Sequence, residues 1–108
     1  MASSVRSNES ILKLLSKVKP GVRKSILKCA EPGLVCSICE ISDNILKGNI
    51  SLTPSQRKKL SKHKRILRQL SKKDEPLKKK RKIIIQSGGF ILPLILPLLK
   101  NIFESLVQ

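Results

Sequence analysis

Aromatic side chains are nearly missing from this sequence. Its 108 residues include no Trp, no Tyr and only two Phe, Phe90 and Phe103. That disfavours modules that stack bases on aromatic rings, such as the common RNA-binding sheets and single-strand grooves. Acidic residues are scarce too: 7 Asp and Glu stand against 23 Lys and Arg, a net charge of +16. Such an excess says little about fold. It narrows the partners to polyanions, whether nucleic acid, an anionic membrane surface or a very acidic protein. Catalytic equipment is also lacking. His63 is the single histidine, and there is no nucleophile–base set, no carboxylate pair and no Gly-rich phosphate loop. The chain is therefore expected not to be an enzyme and to need no cofactor.

The first 20 residues carry charges every few positions and no uninterrupted apolar run, so no secretory signal is expected. The three cysteines are then expected as thiols in a reducing compartment. The glycosylation patterns at Asn8-Glu9-Ser10 and Asn49-Ile50-Ser51 read as chance. Cys36-Ser37-Ile38-Cys39 is a C-x-x-C pair with Cys29 upstream, but a structural zinc site wants four ligands, usually as two pairs. Cys29, Cys36, Cys39 and His63 are one conceivable set. Small buried thiols are the expectation, with no metal and no redox role, because no βαβ context surrounds the pair.

What the sequence does have is a steep charge gradient and helical periodicity. Residues 1–53 carry 8 basic and 4 acidic side chains, residues 54–82 carry 14 and 2, and residues 83–108 carry only Lys100 and Glu104. Helical spacing over 8–18 puts Ile11, Leu14, Leu15 and Val18 on one stripe, after Ser7 or Asn8 as cap. Pro20 suits the first turn of a second helix presenting Val22, Ile26, Leu27 and Ala30. Glu31-Pro32-Gly33 breaks it. A third helix over about 33–47 carries Leu34, Ile38, Ile41 and Ile45, with Val35 and Leu46 beside them and Gly48 as its stop. Thr53-Pro54-Ser55-Gln56 starts a fourth over 54–72, with Leu60, His63, Leu67 and Leu70 on one face and Ile66 alongside. The expected fold class is all-α. Residues 1–73 form a small bundle of about four short helices, 74–89 a disordered polybasic linker, and 90–108 a hydrophobic C-terminal helix or tail. A core of that size is marginal, so a homo-oligomer or a bound polyanion is expected to help hold it together.

The basic segment is the main functional signal. In the fourth helix Arg57, Lys58, Lys59, Lys62, Lys64, Arg65, Arg68, Lys72 and Lys73 surround one apolar stripe. Such a helix can bury the stripe and offer a cationic face to phosphates, with counterion release driving binding. Gln69 is the one amide among these cations, so little direct base readout is expected. Pro76-Leu77 then leads into Lys78, Lys79, Lys80, Arg81 and Lys82, five consecutive cations expected to repel one another and stay extended. The run resembles a single-cluster nuclear localisation signal.

The tail is apolar but short. Phe90, Ile91, Leu92, Leu94, Ile95, Leu96, Leu98 and Leu99 are interrupted by Pro93 and Pro97 and closed by Lys100, and Ile102 and Phe103 follow. A helical span needs about 20 residues, so the expectation is a membrane-surface or capsid-contacting segment hinged at Gly88-Gly89. The bland alternative is a tail that packs on the bundle or self-associates.

The cations of 78–82 followed by Gly88-Gly89-Phe90-Ile91-Leu92-Pro93-Leu94-Ile95 resemble the precursors of adenovirus core protein X (mu). Upstream, the stretches at 17–27, 38–49 and 52–57 are similar to proteins of adenovirus-like Polinton or adintovirus elements, including Lys17-Val18-Lys19-Pro20, Ile38-Cys39-Glu40 and Leu52-Thr53-Pro54-Ser55-Gln56-Arg57. The resemblance implies a minor core or virion protein that packages double-stranded DNA, cleaved by a viral cysteine protease after a Gly-Gly pair, here Gly88-Gly89. Gln86 stands where that pattern has an aliphatic residue. The chain is also Lys-rich where protein X is Arg-rich, and protein X has no counterpart to the four-helix part.

Together these point to a sequence-tolerant, DNA-condensing core protein located in the host nucleus and the virion. A membrane-active virion protein is the alternative. A small helical regulator reading the major groove is a third possibility, disfavoured by the shortage of side chains suited to base edges.

Overall fold

Proline punctuates this fold. In a computed structural model that describes residue 5 and residues 7–87 and 91–98, Pro20, Pro32 and Pro54 each open a helix, at the position where a missing N–H costs nothing. The described residues contain seven α-helices, one 3-10 turn and no strand. They are α1 (Glu9–Lys17), α2 (Pro20–Cys29), α3 (Pro32–Leu46), α4 (Pro54–Ser61), α5 (Lys64–Ser71), α6 (Leu77–Ser87), α7 (Leu92–Ile95) and the 3-10 turn Leu96–Leu98. The all-α class is thus borne out. The bundle is assembled differently from the four helices the periodicity predicts.

α3 is the central element. It buries Leu34, Val35, Ile38, Cys39, Ile41 and Ile45, and it packs on α5 and α6. Its buried hydroxyls, Ser37 and Ser42, donate to the carbonyls four residues earlier, Gly33 at 2.8 Å and Ile38 at 3.0 Å, so neither is left unsatisfied. The helix stops where the sequence predicts. Gly48 takes φ +76°, its N–H reaches Ile45 O and the N–H of Asn49 reaches Asn44 O, a Schellman closure.

Three expectations are corrected. First, α1 buries Leu12 and Leu15, and Ile11 and Leu14 stay 41% and 48% exposed. Leu15 is buried as the periodicity predicts, and packing against the 3-10 turn brings Leu12 inward beside it in place of Ile11 and Leu14. Val22 on α2 is exposed as well, and Arg23 takes a place on the buried face. Second, the fourth helix is two. α4 ends at Ser61, and His63, half-buried, stands at the break as the N-cap residue of α5. An unbroken helix would carry the imidazole into the middle of the Leu60–Leu67–Leu70 stripe, where a polar ring costs free energy.

Third, the polybasic run is no extended linker. Residues 77–87 form the 11-residue α6, with Lys80, Ile84 and Ser87 on one buried face. Lys and Arg are good helix formers, and anchoring of Ile84 at 0% exposure outweighs their mutual repulsion. The polypeptide after it is core rather than tail. Ile91, Leu92, Ile95, Leu96 and Leu98 are all at 2% exposure or less, while Pro93 and Pro97 face outward. α7 packs on α4, and the 3-10 turn packs on α1.

Candidate nucleic-acid interface

α4 and α5 expose one kind of charge. Leu60, Leu67 and Leu70 are buried beneath them. Arg57, Lys58, Lys59, Lys62, Lys64, Arg65, Arg68, Lys72 and Lys73 are all exposed. Every cation assigned to polyanion binding from the sequence therefore lies on the surface. None of the nine has a carboxylate partner among the described residues, whose three ion pairs use Lys13, Lys47 and Lys79. The helix start that projects them is well fixed. Thr53 Oγ1 accepts from Gln56 N–H at 3.2 Å, and Gln56 Oε1 accepts from Thr53 N–H at 3.0 Å, a reciprocal capping box. Unneutralised guanidinium and ammonium groups on an exposed surface suit phosphate contact. They carry no base code.

The cations of residues 78–82 divide into two groups. Lys78, Lys79 and Lys82 are exposed, and Lys79 pairs with Glu75 at 3.2 Å. Lys80 is buried and Arg81 half-buried. Arg81 Nη1 donates to the carbonyls of Leu27 (2.9 Å) and Ala30 (2.6 Å) at the end of α2. Arg23 does the same for α1: Nε donates to Leu15 O at 3.0 Å and Nη2 to Val18 O at 3.4 Å. A cation at a helix C-terminus satisfies orphan carbonyls and complements the dipole. These two arginines are structural. Sequence reasoning missed both roles, although Arg23 sits four residues before Leu27, a faint sign that it shares the buried face.

The cysteines are free thiols: Cys29 exposed, Cys36 half-buried and Cys39 buried. Burial pushes the Cys39 thiol from its ordinary 9.0 up to about 11, opposed by the charge of Lys80 and helped by Cys36 and Glu40. Among the described residues no group of three or more His, Cys, Asp or Glu could hold a metal ion, so Cys29, Cys36, Cys39 and His63 do not assemble as a ligand set.

Of the residues assigned to membrane or capsid contact, Ile91, Leu92, Ile95, Leu96 and Leu98 are buried and Leu94 is half-buried. Phe90, Leu99, Ile102 and Phe103, and the Gly88-Gly89 processing pair, lie outside the described residues. Among the described residues no single helix is long and apolar enough to cross a membrane; Leu77–Ser87 with Leu92–Leu98 reaches that length and composition only as a pair bent by 88°. Comparison with models of known families, with curated proteins and with solved structures finds no match to the chain.

Proposed function

We propose that this protein binds double-stranded DNA through phosphate contacts, with little regard for sequence, and condenses it. The observation that carries the reading is the surface of α4, α5 and their flanking residues, where nine exposed cations over residues 57–73 have no carboxylate partners among the described residues. Duplex phosphates would release counterions on meeting it and would relieve the repulsion between neighbours such as Lys58, Lys59 and Lys62. The resemblance to adenovirus-like core proteins makes packaged DNA in a virion the natural substrate, with the nucleus as the place of loading and residues 78–82 as the import signal. Self-association of the chain would add to condensation. The membrane-active alternative is less well supported, since it must draw Ile91, Leu92, Ile95, Leu96 and Leu98 out of the core.

The test is duplex affinity against salt, made on the full chain because residues 91–98 belong to its core. The expected result is equal affinity for unrelated sequences and a log–log salt slope of about −5 or steeper. Shallow dependence, or a preference for one sequence, would overturn the proposal. Dye release from anionic vesicles without DNA binding would put the membrane reading in its place.

A further inference from the structure

The C-terminal end of α3, the connector 48–53 and residues of α4 and α5 line a trough of about 1030 Å³ that is open to solvent. Its floor is apolar: Leu60 and Leu67 are buried within it, and Leu46 and Leu52 are half-buried. Its rim carries Arg57, Lys58, Lys64 and Arg68, and its lining includes no Asp or Glu. This pairing of apolar floor and cationic rim is more than a DNA-binding face requires. A duplex presents phosphates and keeps its bases stacked inside. Single-stranded bases want aromatic platforms, and none lines the trough. An enclosed cavity would suit a small ligand, since such sites bury most of the ligand's surface. An open trough suits a polypeptide segment whose back stays in water.

We infer that this trough is a docking site for an acidic amphipathic segment of a partner protein, with aliphatic side chains at helical spacing set on Leu46 and Leu52 and carboxylates meeting Arg57, Lys58, Lys64 and Arg68. Those four cations also belong to the proposed DNA face, so the segment and DNA exclude one another. That exclusion, unlike the docking itself, rests on the DNA-binding reading. Such a partner would hold the protein off nucleic acid until loading.

The experiment titrates the full chain, at physiological salt, with two fluorescent peptides of equal negative charge. One has Leu at i, i+3, i+4 and i+7 among Glu residues. The other is oligo-Glu. The amphipathic peptide is expected to bind about tenfold tighter, the effect of burying one or two aliphatic side chains. Leu52→Gln, which changes no charge at a half-buried connector position, is expected to erase most of that advantage and leave duplex affinity unchanged. Unlabelled DNA is expected to displace the peptide. Equal binding of the two peptides, or indifference of the amphipathic one to Leu52→Gln, would overturn the inference. So would Leu52-dependent capture by phosphatidylserine vesicles in place of the peptide. A parallel DNA titration separates the failures: DNA binding without peptide selectivity removes only the docking site, and selectivity without DNA binding removes only the DNA reading.

Discussion

Arg81 donates from one nitrogen to the carbonyl oxygen of Ala30 at 2.6 Å and to that of Leu27 at 2.9 Å, across more than fifty residues of chain. A side chain in the middle of a polybasic run thereby finishes the C-terminal end of α2. Arg81→Ala leaves two half-buried carbonyls without that donor, and hydrogen bonds to charged groups contribute about 1.5–3 kcal/mol. Urea denaturation of Arg81→Ala is expected to show a loss of that order, with Arg81→Lys between it and the wild type. If Arg81→Ala were as stable as a Lys82→Ala control, the contact would have no energetic weight.

The apolar C-terminal stretch provides a second measurement. Ile95 is fully buried. Ile95→Ala removes that side chain from a packed site, which costs roughly 2–5 kcal/mol. A loss of that size in thermal or urea unfolding is expected. A change below about 1 kcal/mol would mean that the stretch is free to leave the core, and the membrane alternative would gain.

Cys39 sets a pH dependence. Its folded pKa lies above the unfolded value, so below about pH 9 both states hold the proton and stability is flat. Between about 9 and 11 the unfolded chain ionises while the fold keeps its thiol neutral, so stability falls as pH rises. The full shift corresponds to about 3 kcal/mol. Unfolding free energies at pH 8, 9, 10 and 11 are expected to fall more steeply for the wild type than for Cys39→Ala. Parallel slopes would refute the assignment. At pH 8, a thiol reagent is expected to modify exposed Cys29 first and Cys39 only as the protein unfolds.

Crowding of like charge predicts a salt response. With a net charge of +16 and nine cations without carboxylate partners among the described residues crowded into residues 57–73, screening lowers repulsion in the folded state more than in the expanded chain. Raising sodium chloride from about 10 to 300 mM is expected to stabilise the protein by on the order of 1 kcal/mol. Inorganic polyphosphate, a bindable polyanion, is expected to exceed salt of matched ionic strength. Insensitivity to both would mean that the cations are already far enough apart to ignore one another.

Residues that act locally were legible in the sequence. The Thr53–Gln56 capping box, Pro20 and Pro54 at helix starts and the Gly48 stop depend on a few neighbouring positions, and each appears where spacing puts it, while Pro32, read as a breaker, opens α3. The nine exposed cations were legible for the same reason, since they lie in or directly beside two helices whose leucines are buried. Long-range pairings were not. Whether α1 turns Leu12 or Leu14 inward depends on what packs against it, and that is the 3-10 turn some eighty residues later. The helicity of residues 77–87 was hidden because charge repulsion can be judged from sequence, whereas the compensating burial of Ile84 and the reach of Arg81 to α2 require the fold. The trough above Leu46 and Leu52 is lined by residues 45–68 alone, but it exists only because α5 packs back on α3, which spacing does not reveal.

The fold of α6 bears on the proposal that residues 78–82 act as an import address. A receptor that grips successive side chains along an extended strand would find Lys80 turned inward and Arg81 tied to α2. To read the whole run it must first melt the helix and lift Ile84 from the core, so recognition is charged the local unfolding free energy. Legibility of the address and stability of the molecule then run in opposite directions. A newly made or loosened chain displays five cations in a row. A mature one, sealed around its core, displays three.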